Sequence, residues 1–294
     1  MKRMNKTTTD NMQVPSSKKG QKKLGLALGG GGARGLAHVL ILEVFDELGI
    51  KPHRIAGTSI GAILGSLYSA GHTAKEIREL VDSLFLLERK ELAHALVKFN
   101  IFKWIELIDP KLGKGGLVDA DHFMGYLHKA VRADHFEDLS IPLQAVAADY
   151  WTGEQVVMDS GDLLPSIKAS MALPDIFSPV QLGDRLLIDG GAVNPLPYDV
   201  LPDDCDYVIA IDVLGILQLQ SHAEPSFYES IFRTARIMGQ AIVAEKLKRD
   251  MPDIYIKPEI KNIHTLEFGK YAEIYRQAEP AKEMFKRKLE KLLV

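Results

Sequence analysis

The chain has a single cysteine among its 294 residues, Cys205, so it cannot form an intrachain disulfide. Lack of disulfides is typical of a reducing compartment, and we expect a cytoplasmic protein. No apolar run approaches the roughly 18 residues of a membrane span. Neither sign of charge dominates, since 36 Lys and Arg stand against 39 Asp and Glu. The composition is that of a globular protein long enough to bury a core without a metal or disulfide.

Positive charge is concentrated at the N-terminus. Residues 1–23 hold seven Lys or Arg against one acid, Asp10, so this tail carries +6 and the rest of the chain −9. The tail has no apolar segment, so we expect it to be disordered and not a secretory signal. It either solubilises the chain or tethers it to an anionic membrane. The acidic body argues against nucleic acid as a partner.

Short apolar runs alternate with helical patterns in the first part of the chain. Residues 24–28 predict a buried strand, and the apolar spacing over residues 36–48 predicts a helix. Residues 55 and 56 predict a second strand, which leads into a small-residue helix over residues 60–70. This order requires crossover connections between strands. It therefore predicts an α/β fold built on a parallel sheet.

The same patterns continue downstream. Thr73 and Glu76 form a capping box that opens a further helix. More strands are predicted at residues 143–148, 155–158, 180–182, 185–188, 207–213 and 254–256. A long helix is predicted over residues 225–250, and the last 25 or so residues predict a basic amphipathic helix.

A glycine-rich loop follows the first predicted strand. Residues 29–35 read Gly-Gly-Gly-Gly-Ala-Arg-Gly and match G-x-G-x-x-G between a strand and a helix. A dinucleotide site also needs an acid about 20 residues on, whereas the next strand runs into Gly57-Thr58-Ser59. Backbone N–H groups in such a loop can hold a phosphate or the oxyanion of an acyl-transfer intermediate. A phosphate- or nucleotide-binding module therefore remains an alternative function.

A second motif follows the second predicted strand. Residues 57–61 read Gly-Thr-Ser-Ile-Gly, which matches G-x-S-x-G between a strand and a helix. In this context the motif predicts a sharp turn that presents a serine hydroxyl at the start of a helix, so Ser59 is the candidate nucleophile. The alternative is a serine that only caps the helix.

A serine nucleophile needs a base. The order Ser…Asp/Glu…His of common esterases leaves His222 and His264 as candidates, so a Ser–Asp–His esterase remains open. No carboxylate pair accompanies His122 and His128, and we expect no metal site. Three aspartates follow predicted strands, and spacing alone does not choose among them: Asp149, Asp189 and Asp212.

Four segments, in this order along the chain, resemble the motifs of the patatin-like phospholipases. They are Gly-Gly-Gly-Ala-Arg-Gly-Leu-Ala-His at 30–38, Gly-Thr-Ser-Ile-Gly-Ala at 57–62, Ala-Ser-Met-Ala-Leu-Pro-Asp-Ile-Phe-Ser-Pro-Val at 169–180 and Asp-Gly-Gly at 189–191. Asn194 and Pro195 resemble the residues that follow the last motif. The resemblance covers about residues 24–202, and four ordered motifs are far more specific than any one of them.

The resemblance implies a Ser–Asp dyad, with Ser59 as nucleophile and Asp189 as general base, and no catalytic histidine. It assigns the oxyanion hole to backbone N–H groups of Gly30, Gly31 and Gly32. It also implies supporting roles for the other motif residues, which are Arg34, Gly35, Gly57, Gly61, Gly190 and Gly191.

The resemblance further implies a serine acyl hydrolase of lipid carboxyl esters, of phospholipase A or lysophospholipase type, without metal or cofactor. The implied fold is a mainly parallel sheet with helices on both faces. We expect residues 1–23 to be a tail, residues 24–202 the hydrolase domain, and residues 203–294 to complete it with a helical extension. Residues 282–294 hold five Lys or Arg against two Glu, so this helix is a second candidate for contact with an anionic membrane.

Overall fold

The structure is a computed structural model that describes residues 22–92, 120–174, 176–217 and 227–294. Nearly all of the predicted basic tail, residues 1–21, lies outside these ranges. Within them the chain folds around one mixed, mostly parallel sheet.

Eight strands form this sheet within the described ranges. In chain order they are β1 (Leu24–Leu28), β2 (Arg54–Thr58), β3 (Leu143–Asp149), β4 (Gln155–Met158), β5 (Val180–Leu182), β6 (Arg185–Asp189), β7 (Tyr207–Ile211) and β8 (Ile254–Ile256). Strands β8, β7, β1, β2 and β3 lie side by side and parallel. Strands β4 and β6 pair antiparallel with β3, and β5 forms a hairpin with β6. All the predicted strands are present, although the one predicted at 207–213 ends at Ile211.

The described part of the chain also contains seven α-helices. They are α1 (His38–Glu47), α2 (Ile60–Ser69), α3 (Ala74–Leu92), α4 (Ala120–Val131), α5 (Leu163–Ser170), α6 (Phe227–Arg249) and α7 (Tyr271–Leu293). The predicted capping box opens α3, because Thr73 N–H donates to the Glu76 carboxylate and Glu76 N–H donates to Thr73 Oγ1. Two 3₁₀ turns flank the candidate site, at Gly32–Ala37 before α1 and at Gly190–Ala192 after β6.

The two faces of the sheet carry side chains of different size, since alternate residues of a strand point to opposite faces. On one face, large aliphatic side chains such as Leu26 and Ile209 join the main core with α1, α2 and α7. On the other face, alanines of β1, β2 and β7 pack in a second cluster with the segment 196–201 and Val243 of α6. Helices therefore cover both faces, and the predicted α/β fold is confirmed.

The edge of β3 brings the ends of β2 and β6 together. Val146 of β3 pairs with Thr58, the last residue of β2, and the next residue, Ala147, pairs with Asp189, the last residue of β6. Because β4 occupies the other edge of β3 over these positions, β2 and β6 meet end to end on the same edge. This arrangement places the end of β6 beside Ser59, the residue that follows β2.

The C-terminal residues contribute to the same sheet and core. Strand β7 lies between β1 and β8, and α7 packs on α1. Lys282 forms ion pairs with Glu43 (2.8 Å) and Glu47 (2.7 Å), and Lys286 pairs with Glu47 (2.8 Å). Two of the five basic residues considered for membrane contact thus hold α7 against α1. In the described chain, no helix combines the length and apolar character that spanning a bilayer requires.

Candidate active site

Ser59 occupies the sharp turn between β2 and α2. Its φ of 56° and ψ of −122° are unusual for a residue with a side chain, and such strain persists only where the surroundings hold it. The Ser59 N–H donates to Ser170 Oγ (3.0 Å), and the Ser170 hydroxyl donates to the Val146 carbonyl (2.6 Å). Ser170 lies in the segment 169–180 that resembles a family motif, although no role was predicted for it.

The glycines on either side of Ser59 are required by close packing. A Cβ atom on Gly61 would lie 2.0 Å from the Leu28 carbonyl oxygen, and one on Gly57 would lie 2.6 Å from the backbone of Ala62. The turn therefore presses against the end of β1, which fixes the position of the Ser59 hydroxyl.

The Ser59 hydroxyl is hydrogen-bonded to a buried carboxylate. Ser59 Oγ donates to Asp189 Oδ2 at 2.6 Å, and Gly191 N–H donates to Asp189 Oδ1 at 2.7 Å. Asp189 is only 5% exposed. Burial raises its pKa from 3.8 to about 6, while the hydrogen bonds from Ser59 and Gly191 oppose this rise. The carboxylate is thus ionised near neutral pH yet more basic than a free aspartate, which suits a general base.

The other two candidate aspartates are occupied by their own surroundings. Asp149 Oδ1 accepts the N–H of Trp151 (2.9 Å) in the turn after β3. Asp212 accepts the N–H of Leu214 (2.9 Å) and the hydroxyl of Tyr255 (2.7 Å). Each of these carboxylates stabilises a local turn or loop, whereas the geometry brings Asp189 to Ser59.

Three histidines bear on the site: the candidate bases His222 and His264, and His38 of the first motif. His264 is exposed, and its backbone N–H donates to the Glu267 carboxylate (2.8 Å). His222 lies outside the described ranges. His38 is fully buried with Nε2 2.8 Å from the Gly29 carbonyl oxygen, and burial lowers its pKa to about 4. Neutral His38 therefore donates from Nε2 and supports the start of the glycine-rich loop.

The described side chains do not form the cluster of ligands that a metal ion needs. His128 lies 3.0 Å from the Asp134 carboxylate in an exposed pair, and the side chain of His122 lies outside the described part. Among the side chains described, no group of three or more His, Cys, Asp or Glu could hold a metal ion.

The glycine-rich loop lies directly beside Ser59, since a Cβ atom on Gly30 would be 3.4 Å from Ser59 Cβ. Gly30 itself is buried, and its N–H donates to the Pro195 carbonyl (2.9 Å). This bond occupies the donor, which conflicts with the predicted role of Gly30 in an oxyanion hole. Gly31 and Gly32 are partly exposed, and within the described chain neither N–H has an acceptor. These two groups are the donors that the loop offers to a ligand.

Loops from the C-terminal third of the chain enclose the glycine-rich loop. A Cβ atom on Gly31 would lie 2.4 Å from the Val213 carbonyl oxygen, and one on Gly32 would lie 2.2 Å from that of Thr265. Gly32 also has a φ of +58°, which favours glycine. The Ala33 N–H donates to the Thr265 carbonyl (2.8 Å). The loop is therefore held from outside the segment that carries the motifs.

Arg34 joins these enclosing loops from within the protein. It is 2% exposed, and its guanidinium donates to the carbonyls of Ile263 (2.8 Å) and Val213 (3.4 Å). Burial lowers its pKa to about 10, so it remains charged at neutral pH. Gly35, the next motif residue, packs so tightly that its Cβ would lie 2.1 Å from Ile60 Cγ2. Both motif residues thus fix the position of the loop.

A buried polar network supports the residue before the nucleophile. Thr58 Oγ1 donates to the Asn194 carbonyl (2.9 Å), and Lys246 Nζ donates to Asn194 Oδ1 (2.6 Å). Lys246 also donates to the Leu196 carbonyl (2.7 Å) and to the Asp199 carboxylate. Lys246 lies on α6, where no sequence motif marks it, so sequence reasoning missed this residue.

Comparison with known proteins assigns the family. The model of the patatin-like phospholipase family matches residues 26–202, more than half of the chain. The protein belongs to the patatin-like phospholipase family. The patatin-like segment contains Ser59, Asp189 and the glycine-rich loop, whereas Lys246, Val213 and Thr265 come from the residues that follow it.

Relatives of this patatin-like protein include much longer chains. An uncharacterized NTE family protein of Mycobacterium tuberculosis is 32% identical over 194 residues, which cover 66% of this chain and 49% of the relative. Lysophospholipase NTE1 of Kluyveromyces lactis is 30% identical over 276 residues, which cover 86% of this chain and 18% of the relative. The chain thus spans about half the length of the first relative and under a fifth of the second.

Two solved structures resemble the fold at low sequence identity. VipD from Legionella pneumophila is 14% identical with a TM-score of 0.48, over 91% of this chain and 67% of VipD. The ExoU–SpcU complex of Pseudomonas aeruginosa contains a chain that is 13% identical with a TM-score of 0.45, over 92% of this chain and 52% of that one.

Proposed function

We propose that this protein is a serine acyl hydrolase that cleaves carboxyl esters of lipids, as a phospholipase A or a lysophospholipase. The observation that carries the proposal is the 2.6 Å hydrogen bond from Ser59 Oγ to the buried Asp189 carboxylate. The N–H groups of Gly31 and Gly32, which have no acceptor among the described residues, lie beside this pair and support it. Membership of the patatin-like phospholipase family supports a lipid ester as substrate.

Acylation would use each of these groups. Asp189 accepts the hydroxyl proton while Ser59 Oγ attacks the ester carbonyl. The carbonyl oxygen becomes an oxyanion, which accepts hydrogen bonds from Gly31 and Gly32. One such donor contributes roughly 2.7–4 kcal/mol to the transition state of comparable enzymes. Because the Ser59 turn and the loop are rigidly packed, the donors need no rearrangement at the moment of reaction.

Departure of the leaving group completes acylation, and water then removes the acyl group from Ser59. The protonated Asp189 gives its proton to the leaving alcohol or lysolipid, which departs and leaves an acyl-Ser59 ester. A water molecule then enters, Asp189 accepts its proton, and the hydroxide attacks the acyl carbonyl. The collapse of the second tetrahedral intermediate releases the fatty acid and returns the proton to Ser59.

A phosphate-binding module fits the site less well. A phosphate on the N–H groups of Gly31 and Gly32 would lie near the ionised Asp189 carboxylate, and like charges in a buried site repel. A Ser–Asp–His triad is also disfavoured, because Ser59 donates directly to Asp189 with no imidazole between them.

The decisive experiment combines covalent labelling with product analysis. We expect a fluorophosphonate probe to label the wild type and a Ser83→Ala control, which lacks a serine of α3, but not Ser59→Ala. Asp189→Asn should lose nearly as much turnover as Ser59→Ala, because members of a dyad act as a unit. His222→Ala and His264→Ala should each keep turnover within about tenfold of wild type, which is a change in activation free energy of roughly 1.4 kcal/mol or less. Mass spectrometry of the products from a mixed lipid panel identifies which ester is cleaved. Full labelling of Ser59→Ala by the probe would overturn the assignment of Ser59 as the nucleophile.

We also propose that residues 24–294 form a single hydrolase domain. This rests on β7, which lies between β1 and β8, and on the loops at Val213 and Thr265 that enclose the glycine-rich loop. A chain that ends at residue 202 should therefore fail to fold cooperatively, as measured by circular dichroism on heating. A folded and active product of that length would contradict the proposal.

The basic tail supplies a further hypothesis, namely attachment to an anionic membrane. Each basic residue near such a surface contributes at most about 1 kcal/mol, so seven of them can give weak attachment that salt weakens. Removal of residues 1–23 should then remove the part of the sedimentation with anionic vesicles that is lost at high salt. If binding is unchanged, the tail serves only solubility.

A further inference from the structure

Two aromatic side chains stand exposed at the turn between β3 and β4. Tyr150 is 50% exposed and Trp151 is 77% exposed. Their rings pack edge to face, with centroids 4.9 Å apart and an interplanar angle of 82°. We call this pair the aromatic tip. Two large rings exposed at one turn forgo the favourable free energy of burying their apolar surface, and exposed apolar groups of this kind mark sites of interaction.

The backbone N–H groups of the aromatic tip are satisfied by hydrogen bonds within the protein. Asp149 Oδ1 accepts the N–H groups of Trp151 (2.9 Å) and Thr152 (3.1 Å), and the Asp149 carbonyl accepts that of Gly153 (2.9 Å). The Tyr150 N–H donates to the Leu186 carbonyl of β6 (2.8 Å). A turn held in this way is rigid. It can also enter a less polar medium without stranding backbone donors, which would otherwise cost free energy.

The tip projects from the edge of the sheet that carries the nucleophile. Val146 is level with Thr58, and Asp149 lies three residues further along β3. At about 3.3 Å per residue, the turn begins about 10 Å beyond the level of Thr58, the residue before Ser59. Strands β2 and β3 are parallel, so the aromatic tip and Ser59 follow strand ends at the same end of the sheet.

We propose that Tyr150 and Trp151 anchor the protein at the lipid–water interface and hold the Ser59 site against the bilayer. This inference rests on the proposed lipid hydrolysis, since the substrate then lies in that surface. Tyrosine and tryptophan suit this interface because each has an apolar ring and a polar group that remains hydrated. Charges beside the tip are mixed, with Arg185 and Glu154 paired at 4.0 Å. Attachment through the rings is therefore independent of anionic lipid and of salt, unlike attachment through a basic tail.

The test measures binding to phosphatidylcholine vesicles by sedimentation, at low and high salt, with Ser59→Ala as the parent so that the lipid stays intact. Adding Trp151→Ala or Tyr150→Ala should weaken binding at least tenfold at both salt concentrations, and Trp151→Phe should restore part of it. The control is Met251→Ala, because Met251 is 61% exposed and precedes β8, at the opposite edge of the sheet. Its binding should equal that of the parent.

With Ser59 intact, Trp151→Ala should lower the ratio of turnover on vesicle lipid to turnover on a dispersed short-chain ester at least tenfold. The proposal would be overturned if Trp151→Ala sedimented with vesicles as strongly as the parent, or if Met251→Ala weakened binding as much as Trp151→Ala does. Binding that disappears at high salt or on removal of residues 1–23 would overturn it as well. Failure of the proposed hydrolysis would appear differently, as absence of turnover on both kinds of ester by the wild type.

Discussion

Replacing Asp189 by asparagine should abolish activity and stabilise the fold at high pH. The carboxylate is fully buried, and burial raises its pKa from 3.8 to about 6. The folded protein thus binds this proton more tightly than the unfolded chain does. Its stability consequently falls as pH rises from about 3.8 to about 6 and stays low above that. At about 1.4 kcal/mol per pKa unit, the ionised group costs about 3 kcal/mol at pH 8.

The asparagine amide removes this cost and can keep the local contacts. Its carbonyl oxygen can accept the Gly191 N–H, and its amide nitrogen can lie against Ser59 Oγ, the two partners of the carboxylate. We therefore expect Asp189→Asn to gain up to about 3 kcal/mol at pH 8, which raises Tm by roughly 5–10 °C. At pH 4 the folded wild type is already protonated, so the gain should shrink to less than about 1 kcal/mol.

Thermal or urea unfolding at pH 8 and pH 4 measures this difference directly. The matched control is Asp203→Asn, which removes the charge of an exposed carboxylate and should leave the midpoint almost unchanged at both pH values. If Asp189→Asn is no more stable than wild type at pH 8, the ionised carboxylate does not destabilise the fold. A gain of equal size at both pH values would lead to the same conclusion, because it could not arise from ionisation.

Three other outcomes are expected. Because Asp189 must be ionised to accept a proton, kcat/KM on a dispersed ester should fall about tenfold per pH unit below pH 6, and a flat profile down to pH 4.5 would exclude it as the base. Gly32→Ala should lower kcat at least a hundredfold, because the added Cβ would lie 2.2 Å from the Thr265 carbonyl oxygen. The control Gly125→Ala should keep wild-type turnover, because a Cβ at Gly125 would have nothing within 4 Å. Lys246→Met should lower the free energy of unfolding in urea by about 2 kcal/mol or more, and it should change kcat more than KM. Lys246→Arg should recover part of the stability and part of kcat. An unchanged kcat in Lys246→Met would show that the network does not position the Ser59 turn.

Elements whose causes are local can be predicted from the sequence alone. An apolar run next to glycines specifies β1 and the loop after it, and G-x-S-x-G specifies the turn that carries Ser59. Flanking glycines, strand length and helical spacing all act within a few residues, so they are visible in one sequence. The motifs at 30–38 and 189–191 also indicated the family, which the comparison confirmed.

Which of these groups come together depends on contacts between distant parts of the chain. Spacing left Asp149, Asp189 and Asp212 equivalent, and only the resemblance selected one of them. In the fold, the choice follows from non-local strand pairing, because β2 and β6 meet on one edge of β3. In the same way, Gly30 loses its place as a donor because Pro195, far along the chain, accepts its N–H. Ser59 and Asp189 are 130 positions apart, and Gly30 and Pro195 are 165 apart, so no local pattern of side chains records these contacts.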